Sequence, residues 1–549
     1  MRIKHSSIIW FPLVIALSIV AGIIIGNHIS TKKFILDKDR KINTVLNIIE
    51  SEYVDSVDIK DLVELTIPKI VANLDPHSYY IPAKDVKSVN DELEGSISGI
   101  GISFIMANDS AQVVEVIPNG PAEKAGILAG DRIVSVNDSI ITGPTVSSEK
   151  VQSLIRGAKD TKVTIKIKRN NSKKLLSFDI VRGDIPINTV DASYMIDKTT
   201  GYIKVNKFGR NTYDEFLTAL GLLQEQGATR YIVDLRGNAG GYMEMAILMV
   251  NEFLSKGEMI VYTKARDPRE NTQVWSDNSG SFHDAQIAVL IDEYSASASE
   301  ILAGALQDND RGLVVGRRSF GKGLVQKQTY LPDSSALRLT IARYFTPSGR
   351  CLQKDYKPGD ESSYSMELYD RYSHGEIYNA DSIKVDKSKI FKTAHGRTVY
   401  GNGGIVPDIF VPNDTAGITS YYIAVANKGL LQKFAFEYTD INRDRLQKVK
   451  SVDKLLAMLP SNDALTYDFI TYAKDNGVPI RWYYINQSRS LIARQLKALI
   501  ARDVLGTEAF YRIQNRSDKA VNAALSAMNA GKAKYPVTVE IQGNTKGQN

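Results

Sequence analysis

The chain has 549 residues, 43% of them hydrophobic and 24% charged, and carries a net charge of +6 at neutral pH. That length exceeds one ordinary core, so several domains are expected, and the composition is that of a folded protein without a concentrated Lys/Arg tract to bind nucleic acid. Cys351 is the single cysteine and the six histidines are scattered, which excludes an intrachain disulfide or cysteine cluster and leaves no local histidine pair for a metal.

After Arg2 and Lys4, an apolar run covers residues 8–25, broken by Pro12, Ser18 and small residues. Its eighteen residues would reach roughly 27 Å as a helix, about a bilayer core. No small-x-small cleavage signal follows, so residues 1–30 are expected to be a cytoplasmic start and an uncleaved transmembrane signal-anchor. Lys32, Lys33, Lys38, Arg40 and Lys41 follow the run, so loop charge does not fix its orientation.

Residues 31–93 read as helical, with Ile42, Val45, Leu46 and Ile49 on one face, until Leu74-Asp75-Pro76-His77-Ser78 breaks the pattern. A β-rich unit is expected over 94–185, with strands near 101–106, 112–117, 132–136, 163–168 and 175–181 and short helices near 121–125 and 148–156. From 186 to 412 strands alternate with helices, which predicts an α/β layer fold with buried strands at 231–235 and 287–291. Residues 354–397, rich in Tyr, Ser, Asp and Lys, read as a surface insertion or flap. Residues 413–549 read as a mainly helical extension with a polar, frayed end.

Four segments carry candidate chemistry. Ser295-Ala296-Ser297-Ala298-Ser299-Glu300 closes a predicted strand and opens a helix, where unpaired N–H groups can hold an oxyanion. Ser297 with Glu300 three residues later is equally a capping box that needs no catalysis. In Phe320-Gly321-Lys322-Gly323, two glycines allow close backbone approach around a lysine. A free lysine titrates near about 10.4, but burial lowers that value and lets the amine accept a proton. Gln326, four residues on, falls on the same face if the segment is a strand, where its amide can orient the amine. Alone, the segment is equally a surface Gly-Lys-Gly turn.

The third segment, Asp234-Leu235-Arg236-Gly237-Asn238-Ala239-Gly240-Gly241, exposes backbone N–H groups that can complete an oxyanion hole with the Ala298 amide, cradle a phosphate or simply turn the chain. The fourth, Ser98-Gly99-Ile100-Gly101-Ile102, can present N–H groups to a peptide's terminal carboxylate and let that peptide add as a strand. With Asn119-Gly120-Pro121-Ala122 and Ala129-Gly130-Asp131-Arg132 behind it, this unit looks like a PDZ domain.

Taken together and in chain order, residues 74–78, the PDZ-like unit, the segments at 234–241, 295–300 and 320–326, residues 344–350 and Gly403-Gly404-Ile405-Val406-Pro407-Asp408 resemble the C-terminal processing peptidases, or tail-specific proteases. The resemblance covers roughly residues 40 to 412. It implies an α/β core like the crotonase and Clp protease folds, no metal or organic cofactor, Ser297 as nucleophile, Lys322 as general base and Gln326 in support. It further implies oxyanion donors at Ala298 and at Gly240 or Gly241, and tail binding at Gly99, Ile100, Gly101 and Ile102. The function implied is an endopeptidase that cuts proteins near free C-termini in the bacterial periplasm; Ile100 and Ile102 suggest apolar tails, and the run at 8–25 an anchor in the inner membrane.

No role transfers to residues 413–549, where an adaptor site, a cover or self-association are all open. A His-Asp-Ser protease is disfavoured because no histidine sits in a recognisable catalytic segment, and a crotonase-like thioester enzyme has no use for a PDZ unit. An inactive PDZ scaffold that binds C-termini is the remaining alternative; it has no need of Ser297, Lys322 and Gln326 together.

Overall fold

The apolar β-branched runs of the middle of the chain form the centre of a six-stranded sheet. Its order is Val190–Met195, Thr200–Val205, Arg230–Asp234, Gln286–Ile291, Leu313–Gly316 and Ile409–Phe410, antiparallel at the first pair and parallel thereafter. Parallel strands covered on both faces read as continuous hydrophobic runs rather than alternating ones, and all six residues of Thr200–Val205 are buried.

One face packs on helices Thr212–Glu225, Met243–Asn251 and Ala298–Asp308, through Phe216, Leu220, Met249, Leu302 and Leu306. The other face (Ile232, Ala288, Leu290, Val315) is covered by Ala520, Val521, Ala524 and Met528 of helix Lys519–Asn529. The expected boundary at 413 therefore does not separate an extension from the core: without helix Lys519–Asn529, one face of the sheet would lose this cover. The helices between, from Ser420–Asn427 to Trp482–Leu505, enclose a hydrophobic centre of their own around Leu431, Phe434, Phe469 and Leu496.

A second sheet stands beside the first, with strands Tyr79–Ile81, Ala336–Phe345, Met259–Ala265 and Thr272–Trp275, and Leu324–Tyr330 paired to Ala336–Phe345. Tyr79–Ile81 lies where a helical region was expected. Its burial of Tyr80 and Ile81 against Ala336 and Leu337 outweighs the local signal. The chain divides at this point into a unit Met1–Leu74 and a unit Asp75–Asn549. In the first, helices Asp39–Glu52 and Ile59–Val71 are described, the second capped by Asp58 on the Lys60 amide at 2.8 Å.

The computed structural model describes Ser18 and residues 39–532, except 108, 170–173 and 402. The expected membrane segment in 1–30 lies outside the described residues apart from Ser18; among the described residues no helix is long and apolar enough to cross a membrane.

The β-rich unit has the sheet order Ile102–Ala107, Ser110–Val116, Arg132–Val136, Lys162–Lys168 and Leu176–Val181, with Ser139–Ile140 on the third strand. Ile102–Ala107 is an edge strand, open on its outer side to strand addition. A ribbon of Ser96–Gly99 against Gly183–Pro186 carries the chain into and out of this unit. The unit also meets the helical region, where a Cβ on Gly130 would lie 1.9 Å from the Arg443 guanidinium.

Residues 354–397 are not a detachable flap. Helix Glu361–Ser373 buries Arg371, which donates to the Ser319 carbonyl at 2.7 Å, and Lys354 lies 4.1 Å from the ring centres of both Phe320 and Tyr364. The composition is polar, but its charges are paired, with Glu367 and Glu376 on Lys354, Arg371 and Arg318.

Candidate active site

Strand Gln286–Ile291 ends in a turn, and Ser297 follows as the residue before helix Ala298–Asp308, with φ +57° and ψ −113°. A side-chain-bearing residue at positive φ outside the left-handed minimum costs on the order of 1–3 kcal/mol and persists only where its surroundings impose it. Here they do. The Ser297 amide donates to Glu300 Oε2 at 2.9 Å, the Glu300 amide donates to the Ser297 carbonyl at 2.9 Å, and Ala296 N–H donates to the Asn238 carbonyl at 3.0 Å.

Glu300 does more than cap a helix. Fully buried, it also accepts the Lys322 amide at 2.8 Å, the Gly321 amide at 2.8 Å and the Ser319 hydroxyl at 2.5 Å. Burial lifts its pKa above the ordinary glutamate range, and these donors oppose that rise. Tyr344, 1% exposed, adds a second tie, its hydroxyl lying 3.1 Å from the Ser297 carbonyl and also against the Lys322 carbonyl. Two segments 25 residues apart in sequence, at Ser297 and Lys322, are thus joined through one carboxylate and one phenol.

Lys322 and Ser297 line one cleft of about 350 Å³, together with Gln326, Gly241, Arg338 and Tyr344. Lys322 precedes strand Leu324–Tyr330, and a register shift separates Val325 from Gln326. Nevertheless Lys322 Nζ donates to Gln326 Oε1 at 3.0 Å. The Gln326 amide nitrogen is bound in turn to the His77 carbonyl, which turns its oxygen toward the lysine. Burial lowers the Lys322 pKa, Arg338 lowers it further, and Glu300 and Asp75 oppose the shift. His77, bonded through Nε2 to the Tyr364 hydroxyl at 2.7 Å, is brought down to about 4 by burial and by Lys322, and is neutral at pH 7.

The glycine turn closes on the same serine. A Cβ on Gly240 (φ +98°) would lie 2.8 Å from Ser297 Cβ and 3.0 Å from the Ala298 nitrogen, so only glycine allows this approach. The Gly240 amide donates to Asn238 Oδ1 at 2.8 Å. The Gly241 and Ala298 amides have no protein acceptor among the described residues. Of the two glycines, Gly240 supplies the close approach and has its amide occupied by Asn238.

Residues 99–102 lie outside this cleft, in the β-rich unit. Gly99 ends the linking ribbon, Gly101 has φ +81°, and Ile102 opens the edge strand. Ile100 is 1% exposed within that unit's own core, so only its backbone can meet a peptide; its side chain does not form an apolar pocket.

Sequence reasoning missed Asn238, His77 and Arg338 and saw only the capping role of Glu300. The break at residues 74–78 did mark His77's place, but its carbonyl's role depends on a partner 249 residues away. Among the described residues, no cluster of three or more His, Cys, Asp or Glu side chains is arranged to hold a metal ion.

Comparison with known proteins gives three family matches. The model described as peptidase family S41 matches residues 199–361, that of the PDZ domain matches 98–180, and a family of unknown function matches 421–506. A carboxy-terminal-processing protease of Bartonella bacilliformis is 38% identical over 309 residues, 56% of this chain and 70% of that protein. The carboxy-terminal processing protease CtpB of Bacillus subtilis is 33% identical over 349 residues, 63% of this chain and 71% of its own length. Among solved structures, a photosystem II D1 C-terminal processing protease is 26% identical, with 58% of this chain and 91% of that one covered and a TM-score of 0.32.

Proposed function

The chain belongs to peptidase family S41, with the carboxy-terminal processing proteases, and from that membership we propose a serine endopeptidase in which Ser297 is the nucleophile and Lys322 its general base. The observation that carries this reading is the shared cleft, in which a desolvated lysine and a conformationally forced serine are fastened to the same buried carboxylate.

Neutral Lys322 takes the hydroxyl proton as Ser297 Oγ attacks the scissile carbonyl carbon. The carbonyl oxygen becomes an oxyanion and is held by the Ala298 and Gly241 amides. Collapse of this intermediate breaks the C–N bond, and the departing amine leaves with the proton from Lys322. Water then attacks the ester, giving a proton to Lys322, and Ser297 recovers its proton as the acid leaves. Gln326 keeps the amine aimed throughout.

In this reading the PDZ unit captures the substrate's C-terminus, with the backbone at Gly99, Ile100, Gly101 and Ile102 receiving the carboxylate and Ile102–Ala107 pairing with the tail as an added strand. The apolar run 8–25 supports a single-pass membrane anchor, and the family resemblance, not the run itself, is the ground for placing it in the bacterial inner membrane with the catalytic part in the periplasm.

The test is cleavage of an unstructured protein with an apolar C-terminal tail by wild type, Ser297→Ala and Lys322→Ala. Cleavage by wild type alone supports nucleophile and base together. Equal cleavage by a purified variant removes that residue from the role. If wild type binds the tail yet neither cleaves nor reacts with a serine-directed fluorophosphonate, the chain is the inactive tail-binding scaffold instead.

A further inference from the structure

The glycine turn at residues 235–241 has left-handed φ at Gly237 (+73°), Gly240 (+98°) and Gly241 (+146°). Glycine populates many conformations, so such a turn does not by itself fix the direction of the Gly241 amide. Its surroundings hold it: the Gly240 carbonyl accepts the Phe208 amide at 3.0 Å, the Tyr242 amide donates to the Phe208 carbonyl at 2.8 Å, and side chains add to this.

Part of the bracing is local. Asn238, fully buried, binds the Gly240 amide and donates to the Val205 carbonyl at 3.0 Å, and Asp292 accepts the Gly237 amide at 2.9 Å. Arg236 forks onto Asp234 at the end of the preceding strand, with bonds of 2.6 to 3.1 Å, and its carbonyl receives Lys204 Nζ. The Arg236–Asp234 pair, however, links residues only two apart and ties the turn to its own strand.

One more tie comes from 282 residues along the chain. Arg236 Nη1 donates to both oxygens of Asp518, at 3.1 and 2.9 Å. Asp518 caps helix Lys519–Asn529, its Oδ1 accepting the Ala520 and Val521 amides at 2.9 Å each. That helix is seated on the sheet by Ala520, Val521, Ala524 and Met528, so the carboxylate is offered from a rigid mount.

We propose that Asp518 is a positioning residue for the oxyanion turn, acting through Arg236 to hold the Gly241 amide where the oxyanion forms. This rests on the peptidase reading above. It also gives part of the C-terminal region a catalytic consequence: helix Lys519–Asn529 covers the sheet and braces the turn that faces the nucleophile.

Asp518→Asn and Asp518→Ser separate the two duties of the side chain. Asn and Ser are both good N-caps, so the helix keeps its cap while Arg236 loses a charged partner. Measured on a tail-bearing substrate, each variant should lower kcat roughly tenfold, less than removal of an oxyanion donor outright. KM should stay within about twofold, because the change is made in the transition state. Affinity for a peptide boronate, which forms a tetrahedral adduct on the serine, should fall in step with kcat.

The position of the lysine-dependent pH limb should not move, since Lys322 is untouched. Melting temperature should stay close to wild type. The double variant Arg236→Gln, Asp518→Asn should be no slower than Arg236→Gln alone, because both act through one contact. Wild-type kcat in Asp518→Asn, losses that add in the double variant, or a kcat loss that only follows a lowered melting temperature would each overturn the proposal. Failure of wild type to cleave or form the boronate adduct is a different result: it removes the peptidase reading, and this inference with it.

Discussion

Glu300 Oε2 accepts the Lys322 amide at 2.8 Å, and the same oxygen accepts the amide of Ser297 at 2.9 Å. The helix cap of the serine is therefore also the anchor of the lysine loop. A carboxylate is suited to this because it is an acceptor at both oxygens, and four donors converge on it from Ser297, Ser319, Gly321 and Lys322.

Replacing Glu300 by Gln turns one of those oxygens into an amide donor facing other donors. Each buried donor left without an acceptor costs about 1–3 kcal/mol. Glu300→Gln should therefore lower the melting temperature and reduce kcat by about tenfold or more, whereas Tyr344→Phe, which removes one hydroxyl, should lose about 1 kcal/mol of stability. Thermal melts and cleavage rates on the same preparations check both. A fully active, fully stable Glu300→Gln enzyme would show that the shared carboxylate does not organise the site.

The pH dependence follows from the surroundings of Lys322. Burial first and Arg338 second hold its pKa below the free value, while Glu300 and Asp75 pull the other way. Only the neutral amine accepts a proton, so activity should rise with pH as it passes through the depressed pKa. Arg338→Met removes a depressing charge, so the amine's pKa rises and the limb moves to higher pH. At pH 7 the variant should be slower by up to about tenfold, with recovery under more alkaline conditions. A limb that stays in place would mean that Arg338 does not set the amine's basicity, provided chemistry limits the rate.

Gly240→Ala should abolish cleavage. Its methyl would sit 2.8 Å from Ser297 Cβ and 2.7 Å from the Ala296 carbonyl oxygen, at φ +98° where an L-residue is strained. Relief requires the serine or the turn to move, and misplacement by about 1 Å can cost 10²-fold. Gly237→Ala, with open space around its Cβ position, is the control: it should lose far less. Comparable losses at both positions would point to general loss of turn flexibility.

Much of this arrangement was legible before the fold. Glycine punctuation and strand-to-helix turns marked the segments of Ser297, Lys322 and Gly240-Gly241, and these segments do meet in space. What stayed hidden were long-range partners of locally explained residues. Ser297 and Glu300 satisfy a capping box within four residues, so nothing local reveals that Glu300 also holds Lys322. The two glycines looked equivalent until Asn238 took the amide of one. The polar stretch at 354–397 resembled surface because composition does not show that Lys354 and Arg371 are buried by pairing. Residues 413–549 read only as mainly helical, and nothing local shows that Ala520, Val521, Ala524 and Met528 of helix Lys519–Asn529 cover the central sheet.

Asp503, near the end of helix Trp482–Leu505, gives a pH-dependent stability rather than an activity. Its side chain is 3% exposed, Oδ2 has no hydrogen-bond partner, and Arg502 lies 3.4 Å from Oδ1. Burial, with a smaller contribution from Glu115 of the β-rich unit, raises its pKa from 3.8 to about 6, against the pull of Arg502. Below the unfolded value both states are protonated and no penalty exists. Between 3.8 and about 6 the folded state binds more protons than the unfolded one, so stability falls as pH rises. Above that window the penalty is complete, on the order of 3 kcal/mol. Asp503→Asn removes the charge but keeps an oxygen acceptor, so it should melt higher than wild type at pH 7.5 and show no such advantage at pH 3.5. Melting curves for the two proteins across that range decide it: a constant difference at every pH would mean that the Asp503 carboxylate does not ionise inside the contact between the β-rich unit and the helices.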